Sequence, residues 1–78
     1  MAAFRFHQTR HFVLRVDLRN LSIENVKCVI NYPESKQKVG KGRNGIRWIF
    51  VKCVDGVTLK VVAEIRNNDC WIVTAYEI

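Results

Sequence analysis

Hydrophobic and polar positions change their period partway along the chain, and that change divides the sequence into a helical first part and a β second part. Residues 3 to 7, AFRFH, alternate apolar and polar and suit a short edge strand. Thr9 is a reasonable N-cap for a first helix reaching about Leu18, with Phe12, Leu14, Val16 and Leu18 to bury. Arg19 and Asn20 break it. Ser22 then caps a second, short helix in SIENVKCVINY. Its Ile23, Val26, Val29 and Ile30 recur at helical spacing, Glu24 lies near the positive end of the dipole, and Pro33 ends it.

From Lys36 onward the period is two. KQKVGK is a weak, basic strand, KGRNG a glycine-containing turn, IRWIFVKCV and VTLKVVAEI strong strands, and CWIVTAYEI a fourth. Asp55-Gly56 is the most specific turn signal. A two-residue hairpin there pairs Val54 with Val57, Lys52 with Leu59, Phe50 with Val61 and Arg47 with Glu64. A turn at Asn67-Asn68 would set Glu64 opposite Trp71, Val61 opposite Thr74 and Leu59 opposite Tyr76. The predicted fold class is α+β, with two N-terminal helices packed on a twisted four-stranded antiparallel sheet and the short N-terminal edge strand as an optional addition. On this register Trp48, Phe50, Leu59 and Val61 share the face that receives the helices. Lys52, Thr74 and Tyr76 fall on the same face and would line a groove.

Length and charge narrow the function classes. A chain of 78 residues has room for one core, and 49% hydrophobic residues supply it. The expected organisation is a single domain over residues 1–78. Thirteen Lys and Arg against seven Asp and Glu give +6, which favours nucleic acid or another polyanion, including a small acidic protein. Cys28, Cys53 and Cys70 cannot all pair within the chain, and none belongs to a CxxC pair. They read as buried small hydrophobes in a reducing compartment, not as a structural zinc site. With no apolar run long enough for a signal sequence or a membrane span, the expectation is a cytoplasmic protein without membrane association.

Candidate chemistry centres on His11, Arg15 and Arg19, which recur every four residues and fall on one helix stripe. Arginine presents a planar fork that suits phosphate, and histidine exchanges protons near neutrality. The stripe reads as a phosphodiester-handling set or as a solvated face of a basic helix. His7, four residues before His11, is discounted as a metal ligand because it precedes the helix and lacks a nearby carboxylate or cysteine at ligand spacing. KVGKGRNGIR, with Lys38, Lys41, Arg43 and Arg47, suits a phosphate-tracking loop or an ordinary solvated hairpin.

The string TRHFVLRVDLRNLSIENV, then NYPESKQKV, a glycine turn, FVKCVDGVTLKVVAEI and a closing WIVTAY, resembles the small prokaryotic family called domain of unknown function 4258. The pattern is roughly His-x3-Arg-x3-Arg-x-Ile-Ser, a second helix, and strands ending in Val-Thr-x-Tyr. His11, Arg15, Arg19, Ser22, Lys52, Thr74 and Tyr76 match it, with Leu21 in place of the usual isoleucine, and the match runs from about Phe6 to Tyr76.

That family looks like a member of the barnase, EndoU, colicin and RelE superfamily of metal-independent ribonucleases, which includes toxins of toxin–antitoxin pairs. The resemblance implies a RelE-like, toxin-type domain that cleaves RNA by attack of the ribose 2′-hydroxyl on its own phosphate, with no cofactor and no metal. It assigns proton transfer to His11, phosphate clamping to Arg15 and Arg19, a further cation to Lys52, and a hydrogen bond or base stacking to Tyr76. Lys38, Lys41, Arg43, Arg47 and Thr74 would bind RNA, and the implied partners are RNA and an acidic antitoxin protein. The alternative is a non-catalytic module of the same fold that binds RNA or an acidic protein.

Overall fold

The period-two segments pair into one five-stranded mixed sheet, in a computed structural model that describes residues 4–10, 12 and 22–78. Five strands, β1 (Arg5–Gln8), β2 (Ser35–Gly42), β3 (Gly45–Val54), β4 (Val57–Arg66) and β5 (Asp69–Glu77), lie in the order β1-β5-β4-β3-β2. One helix, α1 (Ile23–Asn31), is described between β1 and β2. The last four strands form an antiparallel meander, and β1 adds to its β5 edge in parallel.

This corrects the expectation of two helices on a four-stranded antiparallel sheet. The sheet has a fifth strand, runs mixed, and among the described residues receives one helix. A parallel neighbour needs no turn of its own, so nothing in AFRFH specifies its pairing with β5. The first helix expected from Thr9 to Leu18 lies largely outside the described residues. Within them, the Thr9 hydroxyl accepts from the Phe12 amide at 3.2 Å, the bond an N-cap makes, and donates to the Ile72 carbonyl at 2.8 Å.

The β3–β4 hairpin has the register that Asp55-Gly56 predicts, with Val54 opposite Val57, Phe50 opposite Val61 and Arg47 opposite Glu64. Asp55 and Gly56 have φ of 52° and 80°, the positive pair that a tight primed turn requires. The β4–β5 register starts as expected, with Glu64 opposite Trp71, and then shifts at Val62/Ala63. An unpaired Val73 moves Thr74 opposite Val62 and Tyr76 opposite Lys60. One extra residue turns every later side chain to the other face.

One face therefore carries Phe50, Leu59, Val61, Ala63, Cys70, Ile72 and Ala75, all buried. Helix α1 packs there because Val26, Val29 and Ile30 line one side of it; with Phe12 they close the core. The Ser22 hydroxyl accepts from the Asn25 amide at 3.4 Å and fixes the start of the helix. Cys70 is buried in the core, where loss of solvation pushes its thiol up to about 12, while Cys28 is half-buried. Cys53 is exposed, which corrects its reading as a core residue. Among the described residues no helix is long and apolar enough to cross a membrane.

Candidate nucleic-acid interface

The two hairpin turns at one end of the sheet bring cations from distant parts of the chain together. Lys41, at the end of β2, lies opposite Ile46, and Arg43 occupies the two-residue turn into β3. Arg66, which ends β4, reaches the same place because Ile46 and Ile65 are register partners. These three cations surround a cavity of about 580 Å³ whose apolar floor is Ile46 and Ile65. None of the three forms an ion pair with an acid among the described residues.

A buried carboxylate holds this turn in place. Glu64 is 2% exposed, and its Oε1 accepts from the backbone and side-chain nitrogens of Asn44 at 3.1 and 3.2 Å. Its Oε2 accepts from Nε and Nη2 of Arg47 at 3.0 and 2.7 Å, a forked charge-assisted pair. Burial alone raises the Glu64 carboxyl. The Arg47 hydrogen bonds and charge, with the Asn44 hydrogen bonds, outweigh that and hold it below the ordinary carboxylate value. Gly42 leaves the room this requires, since a Cβ there would collide with the Glu64 carboxylate. Gly45, at φ 140°, occupies backbone space that a side chain rarely enters and that the Ile65 carbonyl crowds.

The residues expected to form a site are distributed over three places. Lys41 and Arg43 line the cation pocket, and Lys38 lies opposite Trp48 on the same, helix-bearing face. Arg47 points to the outer face and is committed to Glu64. Lys52 is on the helix-bearing face but at its other end, where its ammonium donates to the Tyr32 carbonyl at 2.8 Å. That is the carbonyl end of α1, where a cation is favourable. Thr74 and Tyr76 lie on the outer face because of the Val73 bulge, with the Lys60 ammonium 5.8 Å from the Tyr76 ring centre. Lys52, Thr74 and Tyr76 therefore do not share a groove. His11, Arg15 and Arg19 lie outside the described residues.

Two arrangements carry no single-segment signal. Arg66 sits beside a turn, and only the strand register brings it to Lys41 and Arg43. On the outer face, Asp69 accepts from His7 Nε2 at 2.9 Å and from Arg5 Nη2 at 3.2 Å, while the His7 and Trp71 rings stack with centres 4.9 Å apart. The hydrogen bond from His7 is the main reason the Asp69 carboxyl lies below its ordinary value, with the charges of Arg5 and His7 assisting. The parallel pairing of His7 with Trp71 and Arg5 with Asp69 creates this cluster. Among the described residues there is no group of three or more His, Cys, Asp and Glu placed to hold a metal ion.

Chemically, the cation pocket suits an anion with an apolar body. Two guanidinium groups and an ammonium can each donate to phosphate oxygens, and the lining holds no histidine or carboxylate. In comparison with known proteins, the model of one family, described as domain of unknown function (DUF4258), matches residues 8–77. Among curated proteins and among solved structures, nothing matches.

Proposed function

From a chain that belongs to the family described as domain of unknown function 4258, we propose an RNA-handling domain that grips the phosphates of single-stranded RNA at its basic turn end. The observation that supports this is the convergence of Lys41, Arg43 and Arg66, none paired with an acid among the described residues, on one cavity of about 580 Å³. A polyanion gains most where cations are already gathered and not neutralised. Net charge of +6 draws the strand in, and the pocket gives it a place to bind.

Cleavage is the second part of the proposal and belongs to a ribonuclease of the toxin kind. His11 takes a proton from the ribose 2′-hydroxyl or gives one to the leaving oxygen, and Arg15 and Arg19 stabilise the charge developing on phosphorus. The pocket lining itself supplies no acid or base. Binding without turnover is therefore the second reading, and the same experiment separates the two.

Purified protein is titrated with a short single-stranded RNA at several salt concentrations, and the products are analysed for 2′,3′-cyclic phosphate ends. Three phosphate contacts predict a slope of about −2 in log affinity against log salt. Cyclic-phosphate ends that disappear in His11→Ala, which should lower the rate by about two to four orders of magnitude, support the ribonuclease. Salt-dependent binding without such ends leaves the binding module. Affinity that is flat in salt contradicts both.

A further inference from the structure

We infer that a second cavity, adjoining the basic pocket across Ile65, holds one unpaired base of the RNA strand whose phosphate the basic pocket takes. This rests on the phosphate reading above and adds which part of a nucleotide is recognised and where. The cavity measures about 330 Å³ and is walled by Phe4, Trp48, Phe50 and Ile65, with Lys36 and Asn31 at its rim. Ile65 also floors the basic pocket, so the two spaces meet at that side chain.

Spacing along β3 fits the two halves of one nucleotide. Ile46 floors the phosphate end and Trp48 walls the aromatic end, two residues apart on the same face of the strand. That separation is roughly 7 Å. Trp48 is half-buried, and its ring stacks with Phe50 at 6.4 Å between centres. The Lys36 ammonium lies 5.5 Å from the Trp48 ring centre. A cation over a half-buried aromatic ring recruits a base by stacking and the neighbouring phosphate by charge.

The walls are apolar and aromatic, and the polar groups sit at the rim. A base enters such a space with its face on Trp48 and its edge towards the Asn31 amide. Bases in a duplex are stacked on both faces and paired along the edge, which restricts this site to single strands. Lys52 and the outer-face residues Tyr76 and Trp71 take no part.

Two RNA-like chains of equal length and charge isolate the base. One is hexaadenylate and the other is the same ribose-phosphate chain without bases, each titrated into wild type and Trp48→Leu at one salt concentration. Circular dichroism and a melting curve check that the variant is folded. Wild type is expected to bind hexaadenylate roughly tenfold more tightly than the abasic chain, the effect of one stacked base. Trp48→Leu is expected to remove that preference, so that hexaadenylate and the abasic chain bind it equally.

Equal affinities in wild type overturn the base site and leave the phosphate reading intact. That comparison needs no variant. If neither chain binds, both fall. A preference for hexaadenylate that survives in folded Trp48→Leu also overturns the inference, because the base then sits elsewhere.

Discussion

Glu64 decides the shape of the basic end although it contacts no ligand in this account. Its carboxylate ties Asn44 and Arg47 together, and Arg43 is carried next to Asn44 on the same turn. Replacing Glu64 with Gln keeps the size but leaves the Arg47 guanidinium without its charge partner. A fully buried pair loses 3 to 5 kcal/mol when broken in this way; with the Arg47 side chain 43% exposed, the expected loss is about 2 kcal/mol at neutral pH. A carboxyl held below its ordinary value stabilises the fold fully above that value and loses the contribution as pH falls through its own pKa. Denaturant unfolding at pH 7 and near pH 3 should therefore show the deficit of Glu64→Gln narrowing in acid. A deficit of the same size at both pH values would mean that the carboxylate charge is not what holds the turn.

Strand pairing explains which residues the sequence brings together and which it separates. Asp55-Gly56 makes the β3–β4 register readable, because a two-residue turn with two positive φ angles leaves no freedom in pairing. The position opposite Val62 carries no such marker. Val73 is an ordinary strand residue by composition, yet its bulge sends Thr74 and Tyr76 away from Lys52. Arg66 is equally unreadable as a site residue, since its neighbours on the chain are an apolar strand residue and a turn asparagine, while the cations near it in space come from β2 and the turn that follows β2. The alternation of AFRFH marks an edge strand, but its parallel pairing with β5 carries no marker either. Lys52 shows how a correct register can still mislead about role, because its ammonium is satisfied by the Tyr32 carbonyl at the end of α1. Replacing Lys52 with Met should lower stability by about 0.5 to 1 kcal/mol through the lost interaction at the helix terminus. RNA affinity should stay within about twofold of wild type. A tenfold loss of affinity in a folded Lys52→Met protein would restore this lysine to the binding surface.

At the scale of the whole molecule, charge is not spread evenly over one function. Arg5 is bound to Asp69, Arg47 to Glu64, and Lys52 to a helix carbonyl, while Lys41, Arg43 and Arg66 converge on one cavity. A uniform electrostatic attraction would depend on net charge alone; a pocket depends on where the charge sits. The most direct test compares two charge reversals of equal size in a single-stranded RNA titration at fixed salt. Arg43→Glu with Arg66→Glu changes the pocket, and Lys27→Glu with Lys60→Glu changes the rest of the surface by the same amount. The pocket pair should lose at least about tenfold in affinity and the control pair less than about threefold, with both proteins folded. Equal losses in the two pairs would contradict the account, because binding would then follow net charge and not the cation pocket.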